Sequence, residues 1–202
     1  MTLCLDAVTN ARKLGLTVSC DYNFRGNLGR YGQSPSEVVR TIVQQVHDGV
    51  AGRGGCHTML GITPRCEEPE GALNCDWYRA LAEQPVEAFP NLHMQVITLR
   101  EGNSATNYGW SLCLRTRKEL LTSRLYEIAD LVDRVRTRDS FTAGLMYELM
   151  DAGPAQYTLE FATAASCLKH TIVADVNRVS AAEVYALLNG QSGGRMQRQE
   201  LS

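Results

Sequence analysis

No apolar run in this 202-residue chain approaches the length needed to cross a bilayer, so a membrane-spanning role is excluded at the outset. The opening MTLCLDAVTNARKLG carries Asp6 and Arg12 where a signal peptide needs unbroken apolar residues, and a cytoplasmic protein is expected. Neither sign of charge dominates: 20 Lys and Arg stand against 22 Asp and Glu. With a formal charge of −2 there is no global basic field to attract nucleic acid or an anionic membrane. Arg115, Arg117, Lys118, Arg134, Arg136 and Arg138 are locally basic, but no aromatic stacking pattern accompanies them, which makes nucleic acid the weakest class of partner. No C-x-x-C pair occurs among the seven cysteines. Cys56, His57, Cys66 and Cys75 therefore lack zinc spacing, no metal site is expected, and an odd number of scattered thiols suits buried residues in a reducing compartment. Internal repeats and low-complexity tracts are absent too.

What is present is an ordinary soluble composition, 44% hydrophobic and 21% charged, in a chain long enough for one domain with a core. That domain is expected over residues 1–190, with a loose tail over 191–202. Leu5, Val8, Ala11 and Leu14 make one face of a helix over Leu3 to Leu14 that Gly15 stops, and the β-rich LTVSCDYN follows. Helix, glycine turn and strand form the second half of a βαβ unit, so the chain reads as beginning inside an α/β fold. Ser34, Pro35 and Glu37 form a capping box for a helix striped by Val38, Val39, Ile42, Val43 and Val46. DGVAGRGGCHTMLGI reads as a weak strand running into a glycine-rich turn, CDWYRALAEQ as a helix up to Pro85, and MQVITLRE as a strand. NYGWSLCLRTRKELLTSRLYEI has two β-like arms around a basic turn, the pattern of a hairpin.

Three helices close the chain. The first runs from about Asp139 to Ala152 with Phe141, Leu145, Met146 and Leu149 inward; the second starts at Pro154 and carries the small residues Ala162, Ala164, Ala165 and Ser166. Ser180 and Glu183 cap the last, which Asn189 and Gly190 stop. Alternating strands and helices imply a mainly parallel sheet covered by helices.

Ligands of open α/β sheets collect beyond the carboxyl ends of the strands, and three polar groups fall there. Asp21, Asn23 and Arg25 occupy alternate positions past the first strand and share a face, where Arg25 could grip a carboxylate or phosphate. On this segment alone they read first as a solvated strand end with a local Asp–Arg pair. Thr98, Arg100 and Glu101 end the VITL strand. Asp139 opens a helix whose free N–H groups attract an anion; its carboxylate is either a plain cap or the acceptor of a proton from an attacking hydroxyl.

In GLTVSCDYNFRGNLGRYGQSP, FPNLHMQVITLREGNSATNYGWS, RLYEIADLVDRVRTRDSFTAGLMYELM and LEFATAASCLKHTIVADVNRVSAAEVYALL the sequence resembles the ribokinase-like (PfkB) carbohydrate kinases, above all the 2-keto-3-deoxygluconate kinases. The resemblance covers nearly the whole chain but only the C-terminal part of a family member. It implies a three-layer α/β/α, Rossmann-like sheet, N-terminally truncated, with a β-hairpin. It also implies ATP and Mg2+ as cofactors and a sugar acid as substrate. By resemblance Asp139 is the catalytic base and Arg136, Thr137 and Arg138 form the anion hole. Arg25 with Asn23 and Asp21 contacts the substrate; Thr98, Arg100 and Glu101 lie on the nucleotide side; Lys169, His170 and Asn177 line the adenine end.

The departures from the family pattern shape the functional alternatives. Arg-Thr-Arg-Asp stands where family members have glycines before the aspartate, a replacement that costs on the order of 1–2 kcal/mol wherever the turn needs a left-handed residue. The magnesium-associated Asn-x-x-Glu motif aligns with Arg53, Gly54, Gly55 and Cys56, and Gly26 and Gly29 replace the lysine and tryptophan usual in this branch. An ATP-dependent sugar-acid kinase is thus one reading. A catalytically inactive remnant, acting as a binding module or as a non-functional product, is the other. An exposed sheet edge where the absent strands belong would favour self-association.

Overall fold

A computed structural model describes residues 2–23, 32–65, 75–102, 108–129, 131–191 and 196–199. The fold is the expected α/β one, with helices α1 to α7 and an open sheet in the order β1-β2-β3-β4-β6-β7, β5 pairing with β4. Two compact units are distinguished: residues 1–70, 74–97 and 113–120, and residues 71–73, 98–112 and 121–202.

In the first unit, α1 (Thr2–Lys13) ends at Gly15, whose φ of 74° is the left-handed stop expected of it. It buries no residue, and Leu14 is exposed rather than inward. β1 (Ser19–Asp21) pairs in parallel with β2 (Asp48–Gly52), Cys20 opposite Gly49. Between them α2 (Pro35–Val43) carries the predicted capping box: Glu37 N–H donates to Ser34 Oγ at 3.3 Å and Ser34 N–H to Glu37 Oε2 at 2.8 Å. These bonds hold the Glu37 carboxyl below its ordinary range.

Two expectations are corrected in this unit. RGGCHTML is the helix α3 (Arg53–Leu60), not a glycine-rich turn. Gly55, Cys56 and Leu60 are buried, and a Cβ on Gly55 would lie 3.0 Å from that of Ala51. Burial at close range thus outweighs glycine's poor helix propensity, and the turn comes one step later, at Gly61 with φ 63°. α4 (Cys75–Ala88) continues through Pro85. A proline there removes one hydrogen bond near the end of the helix, while Leu81, Ala82, Val86 and Phe89 on both sides of it are buried. β3 (Met94–Gly102) follows.

Gly49 is the most closely packed of the described glycines in this unit. Tyr22 Oη and Gln95 Oε1 occupy the space where its Cβ would project, and both side chains are fully buried. Gly49→Ala is expected to destabilise the fold by about 1–3 kcal/mol. The check is a lower urea midpoint at unchanged slope; an unchanged midpoint would show that Tyr22 and Gln95 give way freely.

The predicted hairpin is present, with its return arm divided. β4 (Tyr108–Thr116) pairs antiparallel with β6 (Leu125–Ile128), Trp110 opposite Tyr126, while β5 (Leu120–Thr122) precedes a break at Ser123. There Ser123 Oγ accepts the Leu112 N–H at 2.9 Å, a side chain taking the place of the ladder. β7 (Met196–Gln199), in the segment expected to be loose, pairs antiparallel with β6. α5 (Thr137–Met150) buries Phe141 and Leu145 as expected, with Met146 and Leu149 half-buried, and α6 (Ala155–Lys169) is buried from Thr158 to Cys167. α7 (Ala181–Leu188) has the predicted Ser180–Glu183 capping box.

Candidate active site

The residues expected to form an anion hole gather at the start of α5. Arg136 is its N-cap, at φ 61° and ψ 20°, so the turn does adopt the left-handed conformation that favours glycine, with an arginine in it. Unlike Ser34 and Ser180, Arg136 caps no backbone N–H with its side chain. The first N–H groups of an α-helix have no partner within the helix, and their dipole end attracts negative charge. Asp139 sits in this first turn, solvent-accessible, and its Oδ2 accepts a 2.7 Å hydrogen bond from Arg136 Nη1. The carboxylate and the nearby Asp175 push the guanidinium pKa further up. Thr137 is buried and donates to the Arg134 carbonyl at 3.3 Å; Arg138 is half-buried, and its carbonyl accepts from Thr142 at 3.0 Å.

Restoring glycine at the N-cap tests what the turn stores. Left-handed strain of about 1–2 kcal/mol exceeds the extra chain entropy of glycine, about 0.4–1 kcal/mol, and the exposed ion pair is solvent-screened. Arg136→Gly is therefore expected to raise the melting temperature by roughly 2 °C. A fall in a thermal melt would show that the arginine side chain holds the turn.

The approach to this turn is braced by residues that the sequence reading passed over. Asp133 Oδ1 accepts the Val135 N–H at 2.9 Å and its Oδ2 the Ala174 N–H at 2.8 Å. The Val135 and Ala174 amides and then the Lys169 charge hold its carboxyl below the usual range. An aspartate bonding the N–H two residues on is a recognisable local pattern, so this brace was legible in VDRV; its reach to Ala174 was not. Ser140 Oγ donates to the Ala165 carbonyl at 3.1 Å and accepts from Asn177 Nδ2 at 2.6 Å. No sequence signal marks Ser140.

Asn177 thus joins Asp139, Arg136, Thr137 and Arg138 at one turn. Lys169 and His170 lie in the interior: Lys169 Nζ donates to the Ile172 carbonyl at 2.9 Å, and His170 Nδ1 pairs with the Ser166 carbonyl at 2.8 Å beside Trp110. In the first unit, Asp21 Oδ2 accepts from Asn23 Nδ2 at 2.8 Å. Arg25 lies outside the described residues, as do the side chains of Arg100 and Glu101; Thr98 is buried on β3.

The positions aligned with the magnesium motif do not fit that ion. They open α3 with an exposed Gly54, a buried Gly55 and the Cys56 thiol, whose pKa burial pushes up to about 12, whereas magnesium takes oxygen ligands. Among the described residues no group of three His, Cys, Asp or Glu could hold a metal. No helix among them is long and apolar enough to cross a membrane.

Neither the protein-family models nor the curated proteins compared with this sequence match it. Solved structures do. A 2-dehydro-3-deoxygluconokinase from Thermotoga maritima matches with a TM-score of 0.78 and 34% identity over 92% of this chain and 54% of that one. A PfkB family carbohydrate kinase from Listeria grayi matches with a TM-score of 0.75 at 24% identity, over 93% of this chain and 55% of that one. Arabidopsis thaliana ribokinase, solved with ribose and ATP, matches with a TM-score of 0.64 at 15% identity, over 92% and 52%. The last two speak to the fold alone.

The class is therefore the ribokinase-like fold of carbohydrate kinases. Within it, the chain is similar to a 2-dehydro-3-deoxygluconokinase and spans about half the length of the relatives it matches.

Proposed function

We propose that this chain carries the phosphoryl-transfer end of an ATP-dependent sugar-acid kinase, acting on 2-keto-3-deoxygluconate or a related sugar acid. The observation that carries the reading is Asp139, solvent-accessible in the first turn of a helix whose N-cap, Arg136, makes no side-chain capping bond, in a chain 34% identical to a 2-dehydro-3-deoxygluconokinase. ATP supplies the phosphoryl group when bound. The first-turn amides of α5 and the Arg136 guanidinium suit its terminal phosphate, since both present positive charge without reorganisation. The substrate hydroxyl loses its proton to Asp139 Oδ as its oxygen bonds to the γ-phosphorus and the bond to the β-phosphate oxygen breaks, leaving ADP. Asp133, Ser140 and Asn177 hold the turn in place for that step. Asp21 and Asn23, with Arg25, are the substrate-side candidates; Thr98, Arg100, Glu101, Lys169 and His170 belong to the nucleotide side of the same reading.

A second reading, a non-catalytic chain, is favoured by two observations. The Asp139 carboxylate is already engaged by Arg136, and the Arg53–Cys56 positions offer magnesium no oxygen side chain. A coupled assay at high enzyme concentration with ATP, magnesium and 2-keto-3-deoxygluconate decides between them. Saturable ADP formation that depends on the sugar acid supports the kinase. Its absence, together with no heat of ATP binding in calorimetry, leaves the non-catalytic chain.

A further inference from the structure

Val18, which leads into β1, and His47, which leads into β2, close a reciprocal set of bonds. His47 N–H donates to the Val18 carbonyl at 2.7 Å, Asp48 N–H donates to the same oxygen at 3.2 Å, and Val18 N–H donates to His47 Nδ1 at 2.9 Å. A backbone amide can only donate, so Nδ1 must be the bare nitrogen of a neutral ring with its proton on Nε2. Among the described residues β1 is three residues long and stands at one end of the strand order, so Val18 is among the few points that fix it to β2. We propose that His47 is a pH-sensitive pin: the neutral imidazole fastens the start of β1, and protonation turns its acceptor into a donor facing Val18 N–H and releases that end of the strand.

The surroundings set the direction. His93 lies with its ring 5.0 Å from that of His47, and its N–H donates to the His47 carbonyl at 2.7 Å. Arg12 of α1 presents a positive charge, and Asp48 of β2 a carboxyl that accepts from Ser19 Oγ at 3.2 Å. Desolvation first, then the Arg12 and His93 charges, push the His47 pKa below 6.5, against the opposing pull of Asp48. Burial raises the Asp48 carboxyl in turn. The unfolded chain therefore takes up the proton before the folded one as the pH falls. The contribution of the pin is complete above the ordinary histidine value and is lost as the pH drops through the lowered one. The pinned strand carries Asp21, so acidification loosens the element that presents the Asp21–Asn23 pair.

Amide hydrogen exchange of the full chain between about pH 7.5 and about pH 5 tests this, with intrinsic rates corrected at each pH. Val18 protection is expected to fall about three- to tenfold on acidification, the worth of one net hydrogen bond, while the β4–β6 amides hold theirs. His47→Asn keeps an acceptor oxygen that does not titrate, so Val18 protection should stay level, and His93→Asn should keep the fall. A level wild-type profile overturns the proposal, and so does a fall that survives in His47→Asn. Should the asparagine variant fail to fold, direct NMR titration of the wild-type imidazole decides: a His47 pKa at or above the ordinary histidine value overturns it, and one below supports it.

Discussion

Replacing Asp139 by asparagine is expected to lower sugar-acid phosphorylation by about 10²- to 10⁴-fold, the range that a positioned general base contributes. The change keeps the shape of the side chain and its place in the first turn of α5, but an amide cannot take the hydroxyl proton. ATP affinity should change little. The substitution removes a negative charge from the helix N-terminus and turns the Arg136 ion pair into a weaker neutral hydrogen bond, so any change is toward tighter binding. Turnover and calorimetric titration of the two proteins check this together. Equal turnover in wild type and variant would remove Asp139 from the chemistry, whatever the family likeness.

Gly144→Val is expected to destabilise the chain by about 3 kcal/mol, the upper part of the range for overpacking a close contact. Gly144 faces α6 at the point where a Cβ would lie 3.1 Å from Ala165 Cβ and 3.2 Å from Ala162 Cα. The second neighbour is backbone in a helix that is itself buried, so it cannot turn aside. Alanine is the milder case, because it gains about 1 kcal/mol of helix propensity against the same contact. Valine adds two methyl groups and a stiff χ1 to the same space. Chemical denaturation should show the loss at unchanged slope, and Ala165→Gly should return part of it to Gly144→Ala. A valine variant as stable as wild type would mean that the α5–α6 contact opens without cost. Because α5 carries Asp139 and Ser140 ties it to Ala165, loosening this contact should disturb the candidate site as well.

Several elements were legible because their signals are local. Ser34 with Glu37, Ser180 with Glu183, and Gly15 each place a helix end through atoms within four residues, and all three do so in the structure. The small residues of α6 leave room for close approach, and Gly144 of α5 lies against Ala162 and Ala165 there. The errors share a cause. RGGCHTML has the composition of a turn and becomes a helix because Gly55, Cys56 and Leu60 are buried, and Pro85 stays helical because its flanks are buried.

By itself the sequence determined two helix caps, most of the strands and helices in their order, and the kinase likeness, since each rests on residue type and spacing along the chain. Only the tertiary structure decided that Arg136 holds a left-handed N-cap and pairs with Asp139, that Asp133 and Asn177 brace that turn across some forty residues, and that Val18 leans on His47. Those bonds depend on which distant backbone comes within about 3 Å, and packing sets that distance where sequence spacing does not.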